Sequence, residues 1–168
     1  EQAVVLPIRL GLPFGDDLTE SWMESIAAAQ ATGRLRPGFS VHPRGRHRLE
    51  EMRRHAATGA RVMKLHPTVQ KFYPDDPDMM DVYALAEELG LVIFFHAGRA
   101  GIEPESRHRY ALPRHYAGAL ANFPKLPFVL GHSGARDADA MLEVGLRFPN
   151  AWFGTHGQSL THLDTLIR

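Results

Sequence analysis

Short apolar runs alternate with longer amphipathic segments along most of the chain. Each run is nearly continuous in apolar character, as in residues 91–96, which read Leu-Val-Ile-Phe-Phe-His. Such runs are typical of parallel strands that are covered on both faces. Glycine and proline bound the runs and helical spacing separates them, so the order of elements predicts repeated β-α units. The predicted strands span residues 3–8, 38–42, 61–66, 91–96, 128–132 and 151–156.

Amphipathic helices are predicted between these strands. The clearest begins with Asp76 as N-cap and Pro77 at the first helical position, and it ends at Gly90. Its apolar residues recur at three- and four-residue spacing, so one side of this helix should pack on the sheet. Further helices are predicted over residues 18–32, 49–58, 113–122, 137–148 and 159–167, with Asp137 as N-cap of the one that starts there.

A long irregular stretch over residues 97–112 follows one predicted strand. It should lie at the carboxyl-terminal edge of the sheet, where parallel α/β folds bind their ligands. A loop of this length is often functional, which favours an active-site lid; the alternative is a solvated insertion. Arg99, Arg107 and Arg109 lie within it and could bind a substrate carboxylate bidentately. The alternative is that they are ordinary charged residues of a solvated loop.

Five predicted strands in succession end with a histidine, which indicates one shared site. Residues two apart on a strand point to the same face, so Lys64 should accompany His66 at the rim of the sheet. Neutral imidazole is a good zinc ligand, but catalytic zinc usually has three protein ligands and an open position. The third ligand could be His66, His156 or a residue outside this sequence. The strand-end histidines are His42, His66, His96, His132 and His156.

Composition narrows the class of protein. The chain has 168 residues, which suits a single domain over residues 1–168, and 19 basic residues balance 19 acidic ones. This balance argues against nucleic-acid and membrane partners and favours a small-molecule substrate. No apolar run reaches the roughly 20 residues of a membrane span, so we expect a cytoplasmic protein. We also expect a homo-oligomer. Because there is no cysteine, the ten histidines are the main candidates for metal chemistry.

Four segments of the chain resemble successive strands of the amidohydrolase-related (amidohydrolase 2) family. The segments are residues 62–70, 92–98, 128–134 and 148–153. The family includes metal-dependent hydrolases and decarboxylases similar to aminocarboxymuconate semialdehyde decarboxylase. The resemblance implies a (β/α)8 TIM barrel of the α/β class that carries a divalent metal, commonly zinc.

The resemblance also implies roles for individual residues. His96 is similar to the metal ligand that closes the fifth strand of the family. His132 is similar to the histidine that closes the sixth, which acts as catalytic acid or base or as a second metal ligand. Lys64 lies in the fourth-strand region, where some relatives carry a carboxylated lysine.

The sequence departs from the family pattern at both ends. A His-x-His pair at the first strand and an aspartate at the eighth are both missing from this chain. Six of eight β/α units are visible, whereas a full barrel has about 250 residues. The domain is therefore expected to be incomplete at both ends.

These observations predict a metal-dependent hydrolase of C–N or C–O bonds, or a non-oxidative decarboxylase, acting on a small carboxylate or carbonyl compound. The alternative is a catalytically silent barrel fragment that serves as a binding or assembly module. A metal-dependent sugar isomerase would need more acidic ligands at strand ends. The predicted roles are His132 and Lys64 in catalysis, His96 and His132 on the metal, and His66, Arg99 and His156 on the substrate.

Overall fold

The computed structural model describes residues 2–8, 31–101 and 103–167. Within these ranges the backbone forms one six-stranded sheet in which each strand pairs in parallel with the next along the chain. All six carboxyl ends therefore lie at one edge of the sheet. The strands are β1 (Ala3–Val5), β2 (Leu35–Phe39), β3 (Val62–Leu65), β4 (Val92–His96), β5 (Phe128–Gly131) and β6 (Ala151–Phe153).

Helices follow the strands in the order that the apolar pattern predicts. The predicted helix over residues 18–32 lies almost entirely outside the described residues. In the described part of the chain, no helix has the length and apolar character needed to cross a membrane. The helices are α1 (Arg48–Ala57), α2 (Pro67–Gln70), α3 (Met80–Glu88), α4 (Ala117–Asn122), α5 (Ala138–Gly145) and α6 (Leu160–Ile167), with 3₁₀ turns at Pro77–Met79, Glu105–Ala111, Pro113–His115 and His132–Gly134.

The predicted start of the helix at Asp76 is right in position but wrong in its bonding. A 3₁₀ turn over Pro77–Met79 precedes α3, and the Asp76 side chain makes no capping hydrogen bond. Its carboxylate instead accepts hydrogen bonds from the backbone N–H of Tyr73 (2.9 Å) and the guanidinium of Arg44 (3.0 Å). The carboxylate therefore stabilises the preceding loop.

The two faces of the sheet differ as the strand alternation predicts. Phe95 in β4 contacts Tyr83 of α3 edge to face and stacks on Phe128 of β5, so this face joins the core under the helices. Tyr83 is fully buried, and its hydroxyl donates to the carbonyl of Pro74 (2.9 Å). Phe94 points the other way, where the Lys64 ammonium lies 4.5 Å from its ring centroid. The opposite face thus carries the polar groups.

Every described strand except β4 ends one to three residues earlier than predicted, and β2 also begins three residues earlier, at Leu35. His132 lies in the 3₁₀ turn after β5, and His156 lies three positions beyond Phe153, the last residue of β6. The outermost strands of the described sheet are β1 and β6, on which Val4 (47%) and Trp152 (62%) are exposed. The described residues thus form six consecutive parallel strands, and a described helix follows each of β2 to β6, as in a TIM barrel.

Candidate metal centre

Four of the five predicted histidines form a row across the carboxyl-terminal edge of the sheet. The rings of His66 and His96 stack with centroids 3.9 Å apart and an angle of 11° between their planes. His96 Nδ1 lies 3.1 Å from His132 Nε2, and the His132 and His156 ring centroids are 4.1 Å apart. The row therefore follows the order of strands β3 to β6. The prediction that these imidazoles converge is confirmed.

The fifth histidine, His42, follows β2. Its Nδ1 accepts a hydrogen bond from the backbone N–H of Arg44 (3.2 Å), so the ring takes part in the turn after that strand.

A carboxylate that was not predicted as a ligand completes the cluster. Glu103 lies in the loop after β4, and its Oε1 is 3.0 Å from His96 Nε2, with both side chains almost fully buried. Potential ligand atoms of His66, His96 and Glu103 all lie within 4.8 Å of one another. The Thr68 hydroxyl contacts two of these groups, at 3.0 Å from His66 Nδ1 and 3.3 Å from Glu103 Oε1. We name His66, His96 and Glu103 the His-His-Glu cluster.

The ligand atoms of His96 and Glu103 fit a divalent metal. Glu103 Oε2 is buried and has no hydrogen-bond partner, and the buried His96 Nε2 lies 3.0 Å from Glu103 Oε1 without a hydrogen bond of good geometry. Leaving such a buried polar atom unpaired costs about 1–3 kcal/mol. Two ligands of a tetrahedral zinc, each about 2.0–2.1 Å from the ion, lie about 3.3 Å apart, close to the observed His96–Glu103 separation. A cation between these groups would satisfy both atoms.

Burial sets the protonation of the histidines. It lowers the pKa of His66 to about 2, with the neighbouring His96, Lys64 and His132 adding to the effect. Burial likewise lowers the pKa of His96, whose second cause is the adjacent His132. Partial desolvation lowers the pKa of His132 and of His156, which are less buried. The imidazoles are therefore neutral near pH 7, which is the form that binds a metal.

Lys64 lies on the same face of the sheet as this row. Its side chain is buried, and desolvation lowers the pKa of the ammonium group to about 8. The charge rests against the ring of Phe94, which attracts cations through its π face. Lys64 is thus a cation beside the cluster that can bind an anionic group.

A strained turn holds His132 in place. His132 and Ser133 both have positive φ values, of +57° and +46°, which L residues adopt rarely and at a cost of about 1–3 kcal/mol. Two contacts stabilise this conformation: Ser133 Oγ donates to the carbonyl of Gly154 (2.9 Å), and Gln158 Nε2 donates to the carbonyl of His132. The loop after β6 therefore positions the ring of His132.

Arg99 and Asp137 form a bidentate pair next to the site. Arg99 Nε donates to the carboxylate of Asp137 (2.9 Å), and the backbone N–H of Arg99 donates to Asp137 Oδ2 (3.1 Å). Asp137 is the N-cap residue of α5, as predicted, but its side chain makes no capping hydrogen bond. The proposed contact of Arg99 with a substrate stays a prediction, and a substrate would have to share this guanidinium with Asp137.

The loops after β4 and β5 approach each other at two glycines. Gly98 has φ +76°, and a Cβ atom there would lie only 1.7 Å from the carbonyl oxygen of Gly134. Residue 98 must therefore be glycine for the loop that carries Glu103 to pack beside the turn that carries His132. The stretch over residues 97–112 is more ordered than predicted, since it contains the 3₁₀ turn Glu105–Ala111.

Gly98→Ala is expected to destabilise the fold by about 2–5 kcal/mol, from the left-handed backbone and the overlap with Gly134 together. Denaturant unfolding measures this change. Gly90→Ala is the matched control, because Gly90 also has a positive φ (+62°) but has open space around it. The control should cost only about 1–2 kcal/mol. Equal losses in the two variants would contradict the close approach of the two loops.

Solved structures share this architecture. An uncharacterised TIM-barrel protein from Bordetella bronchiseptica superposes with a TM-score of 0.67 at 24% identity, over 79% of this chain and 48% of that one. The 5-carboxyvanillate decarboxylase LigW from Sphingomonas paucimobilis gives 0.62 at 19%, over 91% and 58%. IDCase from Metarhizium anisopliae gives 0.53 at 18%, over 78% and 40%. The shared class is the TIM barrel, and the chain spans 40–58% of the length of these three proteins.

The sequence itself defines the family more closely. The amidohydrolase family model, Amidohydro_2, matches residues 3–166. The chain belongs to the amidohydrolase family, as the resemblance of its strand motifs implied. No curated protein sequence matches the chain.

Proposed function

We propose that the chain forms the catalytic rim of a metal-dependent enzyme that acts on a small carboxylate or carbonyl compound. The reaction is hydrolysis of a C–N or C–O bond, or non-oxidative decarboxylation. The observation that carries the proposal is the convergence of potential ligand atoms from His66, His96 and Glu103, among which the buried Glu103 Oε2 has no hydrogen-bond partner. Membership of the amidohydrolase family supports a divalent metal, and we propose zinc because of the imidazole donors.

The His-His-Glu cluster would hold the metal, which supplies Lewis acidity toward a substrate or water oxygen. Lys64 binds the carboxylate or carbonyl oxygen of the substrate, because its buried ammonium group gains more from an anion than an exposed one would. His156 is exposed at the outer end of the histidine row and contacts the substrate from the solvent side. The residues of the rim thus orient the substrate before reaction.

His132 moves the proton in either reaction. Its Nε2 faces His96 at 3.1 Å, and its ring is neutral because burial lowers its pKa. In hydrolysis His132 accepts the proton of the attacking water and returns it to the leaving nitrogen or oxygen. In decarboxylation the C–C bond breaks and carbon dioxide departs, and His132 takes a proton from solvent and passes it to the carbon that lost the carboxylate.

Metal content tests the first part of the proposal. The purified chain, stripped of metal and reloaded with Zn²⁺, should bind about one ion per chain. His47→Ala is the control for variants of the cluster histidines, since His47 is exposed and pairs only with Glu50 among the ion pairs of the described residues. It should leave Zn²⁺ binding unchanged. A reloaded chain that holds no stoichiometric Zn²⁺, Co²⁺ or Mn²⁺ would contradict the proposal.

Substrate trials separate the two reactions. The Zn²⁺-loaded chain is incubated with aromatic carboxylates, with measurement of released carbon dioxide, and with lactones and amides, with measurement of released acid. LigW shares the fold and is named as a 5-carboxyvanillate decarboxylase, so aromatic carboxylates are the first series to test. Turnover of either series that depends on Lys64 and on metal supports the proposal, and turnover that persists without metal contradicts it.

A second candidate function, a catalytically silent assembly module, is favoured by the exposed apolar residues near β6. Trp152, Leu160 and Ile167 are 62%, 85% and 80% exposed. Patches of this kind often mark interfaces. This candidate predicts a homo-oligomer that dissociates on Trp152→Ser and binds no metal, which light scattering and metal analysis can measure on the same sample.

A further inference from the structure

Thr68 is a fully buried polar residue at the centre of the site. It lies in the short helix α2, which begins directly after His66. Its Oγ1 is 3.0 Å from His66 Nδ1 and 3.3 Å from Glu103 Oε1, so one hydroxyl links the end of β3 to the loop after β4. The family match and the strand-end histidines give this threonine no role.

Counting protons defines what Thr68 does. A threonine hydroxyl has a single proton to donate, and an ionised carboxylate can only accept. The Thr68 hydroxyl therefore donates its proton to Glu103 Oε1, and the geometry of this contact suits a hydrogen bond in that direction. Oγ1 can then only accept from His66, so Nδ1 of His66 must carry the ring proton. The unshared electron pair of the neutral imidazole is left on Nε2.

We propose that Thr68 is a positioning residue that fixes the Nδ1–H tautomer of His66 and anchors Glu103, so that both present lone pairs to one cation. The inference rests on the metal site of the proposed function. Hydrogen bonds of this kind orient metal ligands in many proteins, and their loss lowers metal affinity by about 10–100-fold.

The position of Thr68 is itself fixed by the backbone around it. Gln70 Oε1 accepts the backbone N–H of His66 (2.8 Å), and Gln70 Nε2 donates to the carbonyl of Val41 (2.8 Å). This buried side chain ties the turn after β3 to the segment after β2. The backbone next to Thr68 is therefore held in place, and the contacts of the Thr68 hydroxyl with His66 and Glu103 fix its side chain.

Thr68→Val removes the hydroxyl and keeps the shape of the side chain, whereas Thr68→Ser keeps the hydroxyl. Zn²⁺ affinity is measured by competition with a chromophoric chelator, and the tautomer of His66 by NMR of ¹⁵N-histidine-labelled protein. Thr68→Val should weaken Zn²⁺ binding by about 10–100-fold, and Thr68→Ser should restore most of it. Thr58→Val is the matched control, because Thr58 Oγ1 bonds only the carbonyl of His55 among the hydrogen bonds described (2.8 Å).

The outcomes separate this inference from the proposed function. Failure of the unmodified chain to bind Zn²⁺ would defeat the proposed function itself. Tight Zn²⁺ binding in Thr68→Val with an unchanged His66 tautomer would overturn the role of Thr68 and leave the metal site standing. The NMR measurement on the unmodified chain is decisive even if Thr68→Val does not fold, since an Nε2–H tautomer of His66 contradicts the proposal directly.

Discussion

His96→Ala is expected to abolish stoichiometric Zn²⁺ binding and, with it, turnover. His96 is the central ring of the row: it stacks on His66, lies 3.1 Å from His132 and places Nε2 3.0 Å from Glu103. Its removal deletes a ligand and also frees the rings on either side. The loss of affinity should therefore exceed the roughly 100-fold that removal of an outer hydrogen-bond partner costs. Metal analysis after gel filtration measures it.

The fold should tolerate this change better than the metal site does. His96 lies at the end of β4 on the polar face of the sheet, whereas the aromatic core around Tyr83 lies under the helices on the other face. Circular dichroism and denaturant unfolding of the metal-free proteins check that the variant is folded. A folded His96→Ala chain that retained one tightly bound Zn²⁺ would contradict the assignment of this ligand.

The fold could be predicted because its signals are local. The strands β4 and β5 are apolar runs in the sequence, and alternation along β4 correctly separates Phe95, which faces the helices, from Phe94, which faces Lys64. The strand-end position of the histidines follows from the same runs. Parallel pairing in chain order then brings His66, His96 and His132 to one edge.

The parts that were missed depend on contacts between segments distant in sequence. Asp76 and Asp137 have the residue type and position of helix N-caps, but arginines from other segments, Arg44 and Arg99, take their carboxylates. Glu103 lies in an irregular loop with no periodicity to give its direction. The only sequence signal of its role is a carboxylate in a long loop directly after the strand of His96. The arginines of that loop give a stronger signal, which points to substrate binding.

The sequence and the structure divide the ligand roles differently. The family resemblance pairs His96 with His132 on the metal, whereas the His-His-Glu cluster combines His96 with His66, predicted as a substrate contact, and with Glu103. In the structure His132 approaches the Nδ1 side of His96, and Glu103 approaches the Nε2 side. One imidazole nitrogen must carry a proton if the other binds a metal, so His132 and Glu103 compete for the role of neighbouring ligand.

Two matched variants decide between these assignments. Glu103→Gln keeps the size of the side chain and removes its charge, so it should weaken Zn²⁺ binding by about 100-fold or more if Glu103 is a ligand, which exceeds the effect of an outer partner. His132→Asn suits the left-handed backbone at this position (φ +57°) and removes the imidazole. It should keep Zn²⁺ bound while turnover falls by about 10²–10⁴-fold, the usual contribution of a general acid or base.

The opposite pattern would restore the ligand pair inferred from the family. If His132→Asn loses Zn²⁺ and Glu103→Gln keeps it, the metal lies on the His132 side of His96, and Glu103 holds the Nε2–H of that ring through an ion pair or hydrogen bond. The chelator competition and the steady-state rate are measured on the same preparations, so affinity and turnover can be compared directly. Because only one nitrogen of His96 can bind the ion while the other is protonated, the two variants should not show the same loss of affinity.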